Sequence, residues 1–96
     1  MKTKFYKTEH FQYRQWDRGI DDDIINKIAC ELKEIPNKKS LLIVSNELLK
    51  KIGAKIKKKT NLIIVSKGKA LITLFYVDDL YKYLKSQKGK INTILL

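Results

Sequence analysis

The amino-acid sequence predicts an α+β domain in which N-terminal helices pack on a small, mainly antiparallel twisted sheet. Apolar residues recur at helical spacing over residues 21–34 and stop before Pro36. Beyond that proline the period shortens to that of strands. In residues 61–77, NLIIVSKGKALITLFYV, two apolar runs flank SKGK, which is the pattern of a hairpin. The chain has 96 residues. A chain of this size buries roughly 60 to 65% of the surface it exposes when unfolded, enough for one core, so a single domain over residues 1–96 is expected.

Taken in order, residues 8–18 (TEHFQYRQWDR) form a first helix, with Thr8 as cap and no Gly or Pro before Gly19. Its stripe is poor, because Phe11 and Trp16 fall about 140° apart on a helical wheel. Residues 21–34 are clearer. Asp21 caps, Asp22 and Asp23 complement the positive helix start, and Ile24, Ile28, Ala29, Cys30, Leu32 and Ile35 build a broad apolar face. PNKK at 36–39 reads as a turn. LLIVS at 41–45 is a strand, Asn46 caps a brief helix at 47–52, and Gly53 closes it.

The hairpin is expected to occupy the middle of the sheet, because both its faces are apolar. Strict alternation puts Leu71, Thr73, Phe75 and Val77 on one face and Ala70, Ile72, Leu74 and Tyr76 on the other. Asp78 then starts a short helix, DDLYKYLK, with Leu80 and Leu84 at i,i+4, and INTILL is apolar enough either for an edge strand or for an irregular cover.

Charge narrows the classes of function. Twenty-one Lys and Arg oppose ten Asp and Glu, a net charge of +11, with Arg14 and Arg18 the only arginines. Such a charge favours polyanionic partners: nucleic acid, an anionic membrane surface or an acidic protein. It is unevenly laid out, since residues 48–77 hold eight lysines and no acid. Six of these, Lys50, Lys51, Lys55, Lys57, Lys58 and Lys59, fall within ten residues and are candidates for holding a phosphate backbone.

A single cysteine excludes an internal disulfide, and one Cys with one His excludes a four-ligand zinc site of those residues. No metal site and no cofactor is expected. The apolar pattern around Cys30 marks it as a small buried hydrophobe. No apolar run approaches the roughly 18 residues of a membrane span. MKTKFYKTEHFQYRQW lacks an apolar h-region, so no export signal is read in it. Gly-rich phosphate loops, GxSxG and HExxH are absent, and the acids at 21–23 stand where a helix start favours them.

One set of residues has the composition of a phosphodiester site. His10, Arg14 and Arg18 are spaced four apart, so on a helix they drift about 40° per step along one polar stripe. A metal-independent phosphodiesterase needs a group that exchanges protons near neutral pH, and guanidinium forks to hold the phosphate. In a chain that otherwise uses lysine, both arginines stand one turn apart beside the only histidine. The arginines could equally pair with Asp17, Asp21 or Asp22 at the helix junction. Thr73, a polar residue in an apolar strand, is either a packed β-former or a site residue, and Tyr6, Tyr13 and Tyr76 are open in the same way.

The segment TEHFQYRQWDRGIDDDIINKI resembles the opening of small bacterial toxin domains, in which H-x3-R-x3-R-G-I precedes a helix. The matching residues are His10, Arg14, Arg18, Gly19 and Ile20. Those domains are similar to the barnase, EndoU, colicin D and RelE-like (BECR) ribonuclease superfamily, which includes the C-terminal tRNase domains of contact-dependent growth inhibition toxins. The hairpin LIIVSKGKALITLFYV also looks like their penultimate strands, with Thr73 at the threonine of the pattern and Tyr76 displaced by Phe75. The resemblance covers residues 8–28 and 61–77.

It implies a BECR-like ribonuclease fold and a metal-independent endoribonuclease that cuts RNA, above all tRNA, by attack of the ribose 2′-hydroxyl, leaving a cyclic phosphate. His10 would be the general acid or base, Arg14 and Arg18 the phosphate clamps and Thr73 an orienting or transition-state donor, with Tyr13 and Tyr76 in support. His10, Arg14 and Thr73 are then expected to converge on one cleft. The resemblance further implies an acidic cognate immunity or antitoxin protein, action in the bacterial cytoplasm, and delivery as the C-terminal part of a longer secreted polypeptide. Two other classes fit the residues alone: a non-catalytic basic nucleic-acid-binding module and a protein-interaction module.

Overall fold

The computed structural model describes residues 5–32, 37–53, 61–87 and 92–96. Within them the chain is α+β, with β1 (Tyr6–Lys7), α1 (Glu9–Asp17), α2 (Asp22–Cys30), β2 (Lys39–Val44), α3 (Asn46–Lys51), β3 (Asn61–Lys67), β4 (Ala70–Val77), α4 (Leu80–Ser86) and β5 (Asn92–Leu95). The strands form one mixed sheet in the order β1-β4-β3-β2-β5. Its three central strands are antiparallel neighbours, whereas the edge strands β1 and β5 run parallel to β4 and β2.

The central place of β3 follows from its composition. Leu62, Ile63, Ile64 and Val65 are all buried, so apolar cover is needed on both faces. Leu62 and Ile64 join Leu42, Val44, Leu71 and Leu74 beneath Phe11 of α1, Ile25 and Ile28 of α2, and Leu48 and Leu49 of α3. Ile63 and Val65 join Leu41 on the other face, under Leu80, Tyr83 and Leu84 of α4. Three helices therefore cover one face and α4 covers the other.

The start of α1 is locked to β4 by one side chain. Thr8 Oγ1 accepts from the Phe11 amide at 3.1 Å as the helix cap, and lies 2.9 Å from the Ile72 carbonyl and 3.2 Å from that of Leu71, to which it donates. The far end of α1 closes at Gly19, whose φ of 66° lets the Gly19 amide reach Trp16 O and the Ile20 amide reach Gln15 O. Thr8→Ala removes the cap and a partly buried hydrogen bond together. Its expected cost is about 1–3 kcal/mol, with Thr8→Ser keeping most of the stability, as read from urea unfolding midpoints.

Several boundaries differ from the sequence reading. Ser45, not Asn46, caps α3, and Asp79, not Asp78, caps α4; in both, the preferred oxygen is the one that reaches the third amide along. Asp21 stands at the cap position of α2 but makes no side-chain capping bond. The helix ends at Cys30 with Glu31 as its C-cap, short of the expected residue 34, and residues 33–36 lie outside the described residues. Cys30 is exposed, contrary to expectation. The buried residues of α2 are Ile25 and Ile28, with Leu32 buried just beyond its end, and Cys30 points about 200° from Ile28. The C-terminal segment takes the edge-strand alternative.

The largest difference is in the hairpin. Lys67 pairs with Ala70, so the connection is Gly68–Lys69, with Gly68 at φ 57°. A bulge at Val65/Ser66 then sets Leu71 opposite Ser66 and Thr73 opposite Val65, leaving Ile72 as the extra residue. Strict alternation fails across it. Leu71 joins Leu74 and Tyr76 under the three helices, while Ile72 joins Phe75 and Val77 under α4.

Candidate functional site

The stripe on α1 turns from solvent toward the sheet as it advances. Relative to the fully buried Phe11, His10 points about 100° away, Arg14 about 60° and Arg18 about 20°. Burial follows these angles: His10 is exposed, whereas Arg14 and Arg18 are half-buried. The poor stripe of α1 is resolved in the same way, since Phe11 and Gln15 face the core while Trp16 is 78% exposed.

The helix is aligned along β4. Thr8 bonds at Leu71 and Ile72, and the charge of Arg18 acts on Tyr76. Ten residues of helix rise about 15 Å and five of strand about 17 Å, so the two elements keep pace from one contact to the other. Burial pushes the Tyr76 hydroxyl above its ordinary pKa, and the Arg18 guanidinium pulls against it less strongly, so the phenol is protonated at neutral pH. Tyr76 thus shares the α1 side of the sheet with both arginines.

Thr73 does not. Its cross-strand partner Val65 belongs to the apolar cluster under α4, and neighbouring Leu74 belongs to the cluster under α1. Cross-strand partners share a face, so Thr73 and His10 stand on opposite sides of the sheet. The expected convergence of His10, Arg14 and Thr73 is corrected accordingly, and the bulge together with the strand's alternation is its physical reason.

Both arginines hold a donor that the fold leaves unanswered. Among the described residues, the buried side-chain polar atoms without a hydrogen-bond partner are Arg14 Nε and Arg18 Nε. An unsatisfied buried donor costs about 1–3 kcal/mol. The ion pair of Arg18 with Asp17, at 3.5 Å, uses Nη1 and leaves Nε as it is. Two guanidinium groups one turn apart, each a planar fork with a buried and unpartnered Nε, have the donor chemistry that suits an oxyanion.

The remaining expected residues are dispersed. Lys50 and Lys51 are exposed in the last turn of α3, and Lys51 pairs with Glu31 at 3.6 Å. Lys55, Lys57, Lys58 and Lys59 lie outside the described residues. Tyr6 and Tyr13 are exposed, and Tyr13 lies beside Trp16 on the outer side of α1, with ring centroids 6.3 Å apart. Among the described residues no group of three or more His, Cys, Asp or Glu could hold a metal ion. No helix there is long and apolar enough to cross a membrane.

Sequence reasoning missed the group that braces the arginine end of α1. Gln15 is 7% exposed, and its amide donates to Ile20 O at 2.9 Å and Asp22 Oδ1 at 2.7 Å; the Asp22 carboxylate also accepts from Lys7 Nζ. The signal was available in the i,i+4 spacing of Gln15 from Phe11, which puts an amide on the buried side. The Lys7 hydrogen bond, then that from Gln15, then the Lys7 charge hold the Asp22 carboxyl below its ordinary range.

A carboxyl depressed in the folded state stabilises above its unfolded pKa, and the contribution is lost as pH falls through the folded value. Wild type is therefore expected to lose stability below about pH 4, and Asp22→Asn to flatten that part of the profile, as measured by urea midpoints against pH.

Comparison with protein-family models, with curated proteins and with solved structures gave no match.

Proposed function

We propose that this domain is a metal-independent endoribonuclease toxin acting on RNA, with tRNA the leading substrate class. The observation that carries the reading is the flank of α1, where His10 precedes two half-buried guanidinium groups whose Nε donors have no partner. In this reading Arg14 and Arg18 grip the scissile phosphate and stabilise the charge that develops on it. As the 2′-oxygen bonds to phosphorus and the phosphorus–5′-oxygen bond breaks, His10, exposed at the outer end of the stripe, takes the 2′-hydroxyl proton or protonates the leaving 5′-oxygen, and water serves the other transfer. The products are a 2′,3′-cyclic phosphate and a free 5′-hydroxyl.

Tyr76 replaces Thr73 as the supporting hydroxyl, because it shares the arginines' side of the sheet. The lysines of residues 50–59 hold the substrate backbone without reading bases. An acidic immunity or antitoxin protein would cover this flank, and the setting would be the bacterial cytoplasm after delivery as part of a longer polypeptide.

The test is incubation with total tRNA in excess EDTA, with end-group analysis of any fragments. Cleavage leaving cyclic phosphate ends is expected. Intact RNA, or cleavage that requires a divalent ion, would overturn the assignment.

A second reading is favoured by one observation. No hydrogen bond among the described residues orients the His10 ring, whereas general bases are commonly held by a partner group. In that reading the same flank binds RNA phosphates without cutting, and the EDTA experiment separates the two.

A further inference from the structure

We infer that the outer side of α1 is a stacking platform for an unpaired RNA base, with Trp16 as its principal surface and Tyr13 as its wall. The inference rests on the RNA reading above and specifies the form of RNA: a single strand or loop, not a duplex. Trp16 is the chain's one tryptophan and is 78% exposed, and Tyr13, one turn earlier, is 59% exposed. A folded chain with a small core ordinarily uses its indole for packing, so leaving it in water is unfavourable unless something covers it.

The two rings do not cover each other. Their centroids are 6.3 Å apart and their planes are tilted by 42°, so a broad face of the indole stays open.

Charge and position select the occupant. Tyr13 follows His10 by three residues and so lies one turn along the same side of α1, which places the aromatic surface beside the exposed histidine end of the stripe. Of the acids nearby, Asp17 pairs with Arg18, Asp22 with Lys7 and Asp23 with Lys27, while Glu9 stands exposed one turn before Tyr13. A chain of net charge +11 attracts a polyanion, and a nucleotide is the polyanion unit that offers a π-face beside its phosphate. Duplex RNA keeps its bases stacked inside the helix and cannot supply that face, whereas loops and single strands can.

The experiment uses the whole chain and a single-stranded RNA oligonucleotide with 2′-O-methyl riboses, which binds without being cut. Fluorescence of Trp16 reports stacking, and anisotropy of an end-labelled oligonucleotide reports affinity separately. Saturable quenching is expected with the single strand but not with a duplex of equal length. Trp16→Ala should weaken single-strand binding roughly 5- to 150-fold, Trp16→Phe should restore most of it, and the salt dependence should be unchanged because no phosphate contact is lost.

If Trp16→Ala binds the single strand within twofold of wild type, or if duplex quenches as strongly, the platform is wrong while the RNA reading stands. If wild type binds neither RNA, the RNA reading itself fails, and the exposed aromatic pair belongs to a protein interface instead.

Discussion

Replacing His10 by alanine is expected to slow RNA cleavage by about 10²- to 10⁴-fold while leaving RNA affinity within a few-fold of wild type. The asymmetry follows from position. His10 is exposed in the first turn of α1 and, among the described residues, holds no other element in place. Its loss therefore removes a proton carrier and leaves the fold and the phosphate clamps intact. Single-turnover rates in excess EDTA isolate the chemical step. Unchanged cleavage by His10→Ala would transfer the acid–base role to another group.

The second large effect is expected at the arginines. Changing both Arg14 and Arg18 to lysine keeps the net charge at +11 but replaces planar forks with point charges. Electrostatic attraction for RNA should persist, so affinity at low salt should fall only a few-fold, whereas cleavage of bound RNA should fall by about 10²- to 10³-fold. The alternative use of the arginines, pairing with neighbouring acids, predicts a different result. Lysines would serve such pairs nearly as well, and activity would survive. Single-turnover rates beside a binding isotherm for the same variant distinguish the two. Urea unfolding of the variant guards against a folding defect, and stability should hold because exposed and half-exposed ion pairs such as Arg18–Asp17 contribute little.

What the sequence made legible was set by how local the physics is. The helix at residues 9–17 could be read because its cap, Thr8, and its stop, Gly19, act within one turn. The hairpin could be read because two apolar runs flank a glycine with the required positive φ. The two-residue strand β1 could not: it exists only because β4 offers an edge, and nothing in Tyr6–Lys7 announces it.

The site divides along the same line. His10 and Arg14 lie on α1 and Arg18 caps its C-terminal end, so helical geometry alone sets their angular order. Thr73 depended on register across a strand pair, where a single extra residue at Ile72 reverses the faces on its far side. Strict alternation still separates Thr73 from Leu74 and Tyr76, so what the sequence lacked was the side on which α1 packs. Tyr76 emerged on the side of Arg18 for that reason.

The central claim is that RNA phosphate engages the guanidinium groups of Arg14 and Arg18 and answers their unpartnered Nε donors, and the chain's composition makes this directly observable. With only two arginines in the sequence, a nitrogen–proton correlation spectrum of the labelled chain contains two Nε–Hε signals to follow. Titration with an uncleavable 2′-O-methyl RNA oligonucleotide should shift both signals and slow exchange of both protons with water, saturating at the same concentration as binding measured by anisotropy. Saturation of binding with both Arg Nε signals unmoved would place the RNA elsewhere on the cationic surface and contradict the account.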